Sequence, residues 1–247
     1  MGGRSLCIGR FLHIPVRLHA TWPVSFLLVA GSLGGAYYPQ SYPGWPLALY
    51  AALGTVTSLL LFASIVLHEL AHCLVARRRG VGVHDIVLFV FGGYSQIESE
   101  PPSPSIELAM AIAGPLASLA VAAVMSGLWL VSLRLGLALA AMFGYVAGLN
   151  LAVAIFNLIP GFPLDGGRLV RALLWWRSRD LLRATRWASS LGRVTACSPV
   201  GLGLWRALDG GLVDALWFTL IGCFLHRAAR ESWRSVARVE AHLPGLV

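Results

Sequence analysis

Long apolar stretches alternate with short arginine-rich stretches along the 247 residues of this chain. A helix needs about 20 apolar residues to cross a bilayer, and windows of that kind fall near residues 21–38, 47–76, 106–133, 137–159, 188–205 and 211–226. Gly114-Pro115 and Pro199 interrupt two windows, which indicates kinks rather than domain breaks, because neighbouring helices can satisfy the freed backbone groups. The pattern predicts an all-α polytopic membrane protein with about six transmembrane helices, forming one membrane-embedded domain over residues 1–247.

Composition agrees with that prediction, since 57% of the residues are hydrophobic and 12% are charged, against about 25% charged in soluble domains. The chain has no lysine, and its 19 arginines against 11 acidic residues give a net charge of +8. The arginines lie close to the ends of the apolar windows, a distribution that indicates membrane boundaries rather than a nucleic-acid-binding surface. The main groups are Arg4, Arg10 and Arg17 before window one, Arg77 to Arg79 after window two, Arg168 to Arg186 after window four, and Arg227 to Arg238 after window six.

The positive-inside rule places all of these groups in the cytoplasm. We therefore expect a multi-pass protein of a cell membrane, of the prokaryotic plasma membrane type, with both termini cytoplasmic. The lipid bilayer is an expected partner and nucleic acid is not. The basic C-terminal segment fits a solvated juxtamembrane face better than a site for anionic lipid. The first 20 residues lack a short apolar core and a small-residue cleavage site, so we expect no cleaved signal peptide.

Residues 85–97 are too short to cross a membrane and are rich in β-branched and aromatic side chains, with Gly92-Gly93 as a turn signal. They predict a small β-hairpin near the cytoplasmic membrane face. An exposed strand edge there could bind the backbone of an extended peptide. A re-entrant loop that packs only for structure is an equal alternative.

The most informative motif lies inside the second apolar window, where His68-Glu69-Leu70-Ala71-His72 places two imidazoles four residues apart. On a helix these side chains share one face and can bind one Zn²⁺, and Glu69 is a candidate general base for a water on that ion. Two histidines satisfied by neighbouring helices are the alternative. Ionisable residues at bilayer depth are costly and usually functional, which favours the metal site. Cys73 points about 100° away from His72 around the helix, so we interpret it as a packing residue.

A catalytic zinc usually has three protein ligands and a water, and the segment Asn157–Arg168 offers the third. Two prolines and three glycines in it break the helix beside Asp165. Such backbone is tolerated at membrane depth only where protein buries it or it lines a cavity. Arg77 and Arg168 follow His72 and Asp165 closely, on windows that both end in the cytoplasm, so these ligands can share one depth. The alternative for Asp165 is an ordinary turn residue at a helix terminus.

These motifs resemble the site-2 protease family of intramembrane zinc metalloproteases. The resemblance rests on His68–His72 and on Asn157–Gly167, and it extends to Ile14–His19, Phe91-Gly92-Gly93 and Ala113–Leu116. It implies one Zn²⁺ per chain, held by His68, His72 and Asp165, with Glu69 activating water and Asn157 helping to position the substrate or polarise its scissile carbonyl.

The implied reaction is hydrolysis of a peptide bond within or near the transmembrane segment of a membrane protein, in regulated intramembrane proteolysis. Bacterial members of the family process anti-sigma factors, pro-sigma factors or signal-peptide remnants. The closest resemblance is to the six-span bacterial and archaeal subgroup without a PDZ domain, in which paired CBS domains often follow the last span. About twenty residues follow His226 here, so we expect no CBS domains and no regulation by nucleotides. The sequence identifies no regulatory partner.

Two other functions compete with this interpretation. A zinc transporter or sensor would not need Glu69 and would show further ligands along a path through the bundle. Another class of membrane zinc peptidase would take a late-span glutamate as its third ligand, and the apolar windows after Glu107 contain none.

Overall fold

The computed structural model describes residues 5–90, 92–208 and 212–242. Within that part of the chain, the strands are β1 (Ser5–Phe11), β2 (Ile14–His19), β3 (Val83–Phe89) and β4 (Gly92–Ile97). The helices are α1 (Trp22–Ser32), α2 (Tyr38–Ser41), α3 (Leu47–Arg78), α4 (Pro104–Ser132), α5 (Leu137–Asn157), α6 (Asp165–Ser178), α7 (Leu181–Thr195), α8 (Cys197–Leu208) and α9 (Leu212–His242). A π-helical turn, Leu33–Tyr37, joins α1 to α2.

Among the described residues, the three helices α3, α4 and α5 are long and apolar enough to cross a membrane. They coincide with the windows at 47–76, 106–133 and 137–159, and α4 continues through Pro115 as expected. The window at 21–38 falls on α1, the π-helical turn and the start of α2. Residue 211 lies outside the described residues, and the rest of the window at 211–226 forms the first half of α9. The total of six spans stays a prediction.

The window at 188–205 does not correspond to one helix, because α7 ends at Thr195 and α8 begins at Cys197. Pro199 explains the boundary. A proline lacks a backbone N–H and its ring clashes with the carbonyl four residues earlier, which here belongs to Thr195. Pro199 therefore lies in the first turn of α8, where no helical hydrogen bond is lost, and the expectation of a kink inside a single span is wrong at this position.

The chain divides into two compact units. The first comprises Met1–Glu100 and Ala113–Ala154, and the second comprises Pro101–Ile112 and Ile155–Val247. The first unit contains a four-stranded sheet in the order β1-β2-β3-β4. The outer pairs are antiparallel, and β2 and β3 run parallel to each other.

The predicted hairpin within residues 85–97 is confirmed as β3 and β4. The two strands are antiparallel, with Val83 opposite Ile97 at one end and Phe89 opposite Gly92 at the other. The prediction of an all-α fold missed β1 and β2. Ile14 and Val16 are buried at alternate positions of β2, and this period of two was the available signal. One face of the sheet packs on α3, in a cluster formed by Ile14, Val16, Leu70, Cys73 and Ile86.

In the second unit, α6 packs on α7, and α9 packs on both α7 and α8. Arg171 of α6 makes a buried ion pair with Glu107, in the first turn of α4. The Arg171 guanidinium also lies over the Phe162 ring, 5.3 Å from its centroid. These contacts hold α6 against the start of α4 and against Phe162, in the segment that precedes α6.

Candidate metal centre

His68 and His72 project from adjacent turns of α3 and face each other across a short gap. Their Nε2 atoms are 3.2 Å apart, and the two residues are 6% and 3% exposed. Two nitrogens bound to one tetrahedral zinc at about 2.0–2.1 Å would lie about 3.3 Å apart. The pair therefore has the separation that a shared zinc ion requires.

Ser118 of α4 fixes the orientation of the His68 ring through a hydrogen bond. Its Oγ lies 2.9 Å from His68 Nδ1, and Ser118 is itself buried. An imidazole that uses Nδ1 for a protein hydrogen bond keeps Nε2 for a metal, and such contacts orient the ring and raise ligand affinity. Ser118 was not predicted from the sequence.

Gly114 lies one helical turn before Ser118 and leaves space beside both imidazoles. A Cβ atom at this position would lie 2.6 Å from His68 Nε2 and would also overlap His72 Nε2. Only a residue without a side chain leaves this volume open. The space, the facing nitrogens and the donor types together fit a zinc ion.

Glu69 is half-buried on α3, directly after the first histidine, and it faces strand β4. Its Oε2 accepts a hydrogen bond of 2.7 Å from Ser95 Oγ. This places the predicted general base next to the hairpin that the sequence proposed for substrate binding.

Asp165 is the first residue of α6 and is buried. The sequence predicted that the backbone breaks before it, and residues 158–164 are indeed non-helical between α5 and α6. The turn is tightly packed, because a Cβ at Gly166 would meet the Ile159 carbonyl and one at Gly167 would meet the Phe162 amide. A carboxylate in the first helical turn is also favoured by the helix dipole.

Within the described residues, His68 and His72 are a buried pair of potential metal ligands in the first unit, and Asp165 is a buried carboxylate in the second. Asn157 is the last residue of α5 and is half-buried. Its role toward a substrate stays a prediction, as do the individual roles of the other site residues. Phe91, part of the resemblance, lies outside the described residues.

Comparison with known proteins identifies the family. The model of peptidase family M50 matches residues 56–136 and 132–198, a range that contains all the predicted site residues. The chain belongs to peptidase family M50. The resemblance to site-2 proteases is likewise confirmed by a solved structure, the site-2 protease from Methanocaldococcus jannaschii. It matches with a TM-score of 0.61 and 28% identity, over 93% of this chain and 95% of that one.

Two relatives that are named as zinc metalloproteases, the first as a putative one, extend the comparison. The chain is 40% identical to Rip3 of Mycobacterium tuberculosis over 226 residues, 91% of this chain and 57% of the relative. It is 32% identical to the zinc metalloprotease MJ0392 of Methanocaldococcus jannaschii over 237 residues, 94% of this chain and 61% of the relative. The chain thus spans about three fifths of the length of these relatives, from 57% to 61%.

Two polar residues of this M50 site, Ser95 and Ser118, were missed by sequence reasoning. Ser118 had a usable signal, because Gly114 and Ser118 are four residues apart and share one helical face in an apolar window. Ser95 had no usable signal in the sequence, because its contact with Glu69 depends on the packing of β4 against α3.

Proposed function

We propose that this chain is an intramembrane zinc metalloprotease that hydrolyses a peptide bond within or near the transmembrane segment of a membrane-protein substrate. One observation carries the proposal. Two buried imidazoles face each other with Nε2 atoms 3.2 Å apart, on a helix that also carries Glu69 and is long and apolar enough to cross a membrane. Family membership supports the same conclusion.

His68, His72 and Asp165 would hold one Zn²⁺ through two imidazole nitrogens and a carboxylate oxygen. When bound, the ion would polarise the scissile carbonyl and lower the pKa of the attacking water. Ser118 keeps His68 in the orientation that directs Nε2 to the ion.

Glu69 is proposed as the general base. Its carboxylate accepts the proton of the attacking water and then delivers that proton to the nitrogen of the leaving amine. A transporter or sensor has no use for a carboxylate at this position, so Glu69 is the residue that favours a peptidase over a metal carrier.

The substrate is proposed to bind in an extended form along β4, which is an edge strand of the sheet. A helical substrate must unwind before its amide reaches the metal, and a strand edge offers hydrogen bonds to the unwound backbone. β4 suits this role because it packs on α3 beside Glu69. Anti-sigma or pro-sigma factors are substrate candidates by family resemblance, and the cell membrane is the proposed location.

The direct test is reconstitution of the purified protein in vesicles with a single-span reporter protein. We expect cleavage at a site within or beside the reporter's span, identified by mass spectrometry of the fragments. A chelator should abolish cleavage, and added Zn²⁺ should restore it. Zinc transport across the vesicle membrane without cleavage of any membrane-spanning reporter would instead indicate a carrier and would refute the proposal.

A further inference from the structure

We propose that Ser95 is a positioning residue for Glu69, holding the carboxylate of the general base in one orientation from strand β4. The inference rests on the proposed function, because it assigns Glu69 the proton transfer described above. Ser95 belongs to neither the zinc-binding motif nor the segment that contains Asp165.

The contacts around Ser95 form a short chain of hydrogen bonds that ends on the base. The buried Cys73 thiol donates to Ser95 Oγ over 3.2 Å, and Ser95 Oγ donates to Glu69 Oε2 over 2.7 Å. The Glu69 backbone carbonyl is a more distant acceptor, at 3.3 Å. A hydroxyl has one proton to donate, and the shorter contact to a charged oxygen is the stronger of the two.

The packing of β4 makes this contact possible. Residues two apart on a strand face the same side, so Gly93 and Ser95 both face α3. A Cβ at Gly93 would lie 3.1 Å from Glu69 Cγ and 2.9 Å from Ile65 Cγ2. The absence of a side chain at Gly93 lets the strand approach α3 closely enough for Ser95 to reach the carboxylate.

The two oxygens of the Glu69 carboxylate rotate together about one bond. A hydrogen bond to Oε2 restricts rotation of the whole group and leaves Oε1 to receive the proton from water. Positioning of this kind contributes to the rate of the chemical step rather than to substrate binding. Because β4 is also the proposed substrate strand, one element would hold both the substrate and the base.

The kinetic test uses the full, zinc-loaded protein and the single-span reporter. We expect Ser95→Ala to lower kcat about ten- to hundredfold, the loss typical of a hydrogen bond to a charged group, with KM almost unchanged. Ser95→Thr keeps the hydroxyl and should recover most of the rate. Zinc content should be the same in all variants, because Ser95 hydrogen-bonds to Cys73 and Glu69, neither of which is a proposed zinc ligand.

The matched control is Ser58→Ala on α3. Ser58 is also buried, but its hydroxyl donates to the Gly54 carbonyl of its own helix. Its removal should leave kcat unchanged. An active protein in which Ser95→Ala and Ser58→Ala have the same kcat as wild type would overturn the proposal.

A second measurement does not depend on activity. Melting temperatures of the metal-free protein in detergent are compared for Ser95→Ala in the wild-type and Glu69→Ala backgrounds. We expect a loss of about 3 °C or more in the wild-type background, and a clearly smaller loss in the Glu69→Ala background, where only the more distant backbone carbonyl of residue 69 remains as an acceptor. Equal losses in both backgrounds would overturn the proposal. A clear difference in a protein that cleaves no reporter would support the Ser95–Glu69 contact while refuting the proposed function.

Discussion

At the scale of single residues, the proposed metal centre depends as much on an absent side chain as on the proposed ligands. Gly114 of α4 lies against both imidazoles, and any Cβ there would occupy the space beside their Nε2 atoms. The pairing of His68 with His72 could be predicted because a spacing of four residues on a helix determines which side chains share a face. Ser95 could not, because its partner is 26 residues away in the sequence.

Replacing Gly114 by alanine should therefore abolish tight zinc binding, because the new methyl group would collide with the ligand nitrogens. Gly127→Ala is the matched control on the same helix, since a Cβ there meets nothing within 4 Å. Glycine is about 1 kcal/mol less favourable than alanine inside a helix, so the control should be at least as stable as wild type. Zinc content by elemental analysis after dialysis checks both variants, and full zinc in Gly114→Ala would contradict this description of the site.

At the scale of elements, the hydropathy pattern did not predict helix α6, because α6 lies outside the apolar windows. The sequence predicted the break before Asp165 but interpreted Arg168 to Arg186 only as a cytoplasmic basic segment. The structure shows two helices there, α6 and α7, with one face of each buried. An acidic residue such as Glu107 is favoured near a helix N-terminus. It does lie in the first turn of α4, but it is fully buried and paired with Arg171, a long-range contact that no local pattern reveals.

The buried ion pair should contribute strongly to the stability of α6. Removing one partner leaves a buried charge, which typically costs about 3–5 kcal/mol, so Arg171→Ala should lower the free energy of unfolding by that order. The control is Arg183→Ala, whose ion pair with Asp180 spans 3.8 Å at the surface and should contribute less than about 1 kcal/mol. Denaturant titration in detergent micelles measures both changes, and equal losses would show that burial of the pair is unimportant.

At the scale of the whole molecule, the arginine distribution predicts the orientation in the membrane. Arg77 and Arg78 end α3, the longest of the three helices in the described part of the chain that are long and apolar enough to cross a membrane. The positive-inside rule places that end in the cytoplasm. The sequence could indicate this orientation because it depends on composition near helix ends. It could not establish the number of spans, because an average over twenty residues does not detect the helix boundary at Ala196.

Single-cysteine labelling tests the orientation. The exposed Cys7, Cys197 and Cys223 are first replaced by serine, while the buried Cys73 is kept. A cysteine at Ser41 should react with a membrane-impermeant maleimide from outside intact cells, and one at Arg78 only in inverted vesicles. Labelling at Arg78 from outside would contradict both the orientation and the shared depth of the proposed ligands.

The central claim is that one group of residues binds zinc and a different residue transfers the proton. The most direct measurement determines zinc content and reporter cleavage together in purified variants. Glu69→Gln should retain about one zinc per chain and lose nearly all cleavage, whereas His72→Ala and Asp165→Ala should lose both. A Glu69→Gln protein that cleaves at nearly the wild-type rate, or an Asp165→Ala protein with full zinc, would contradict the account.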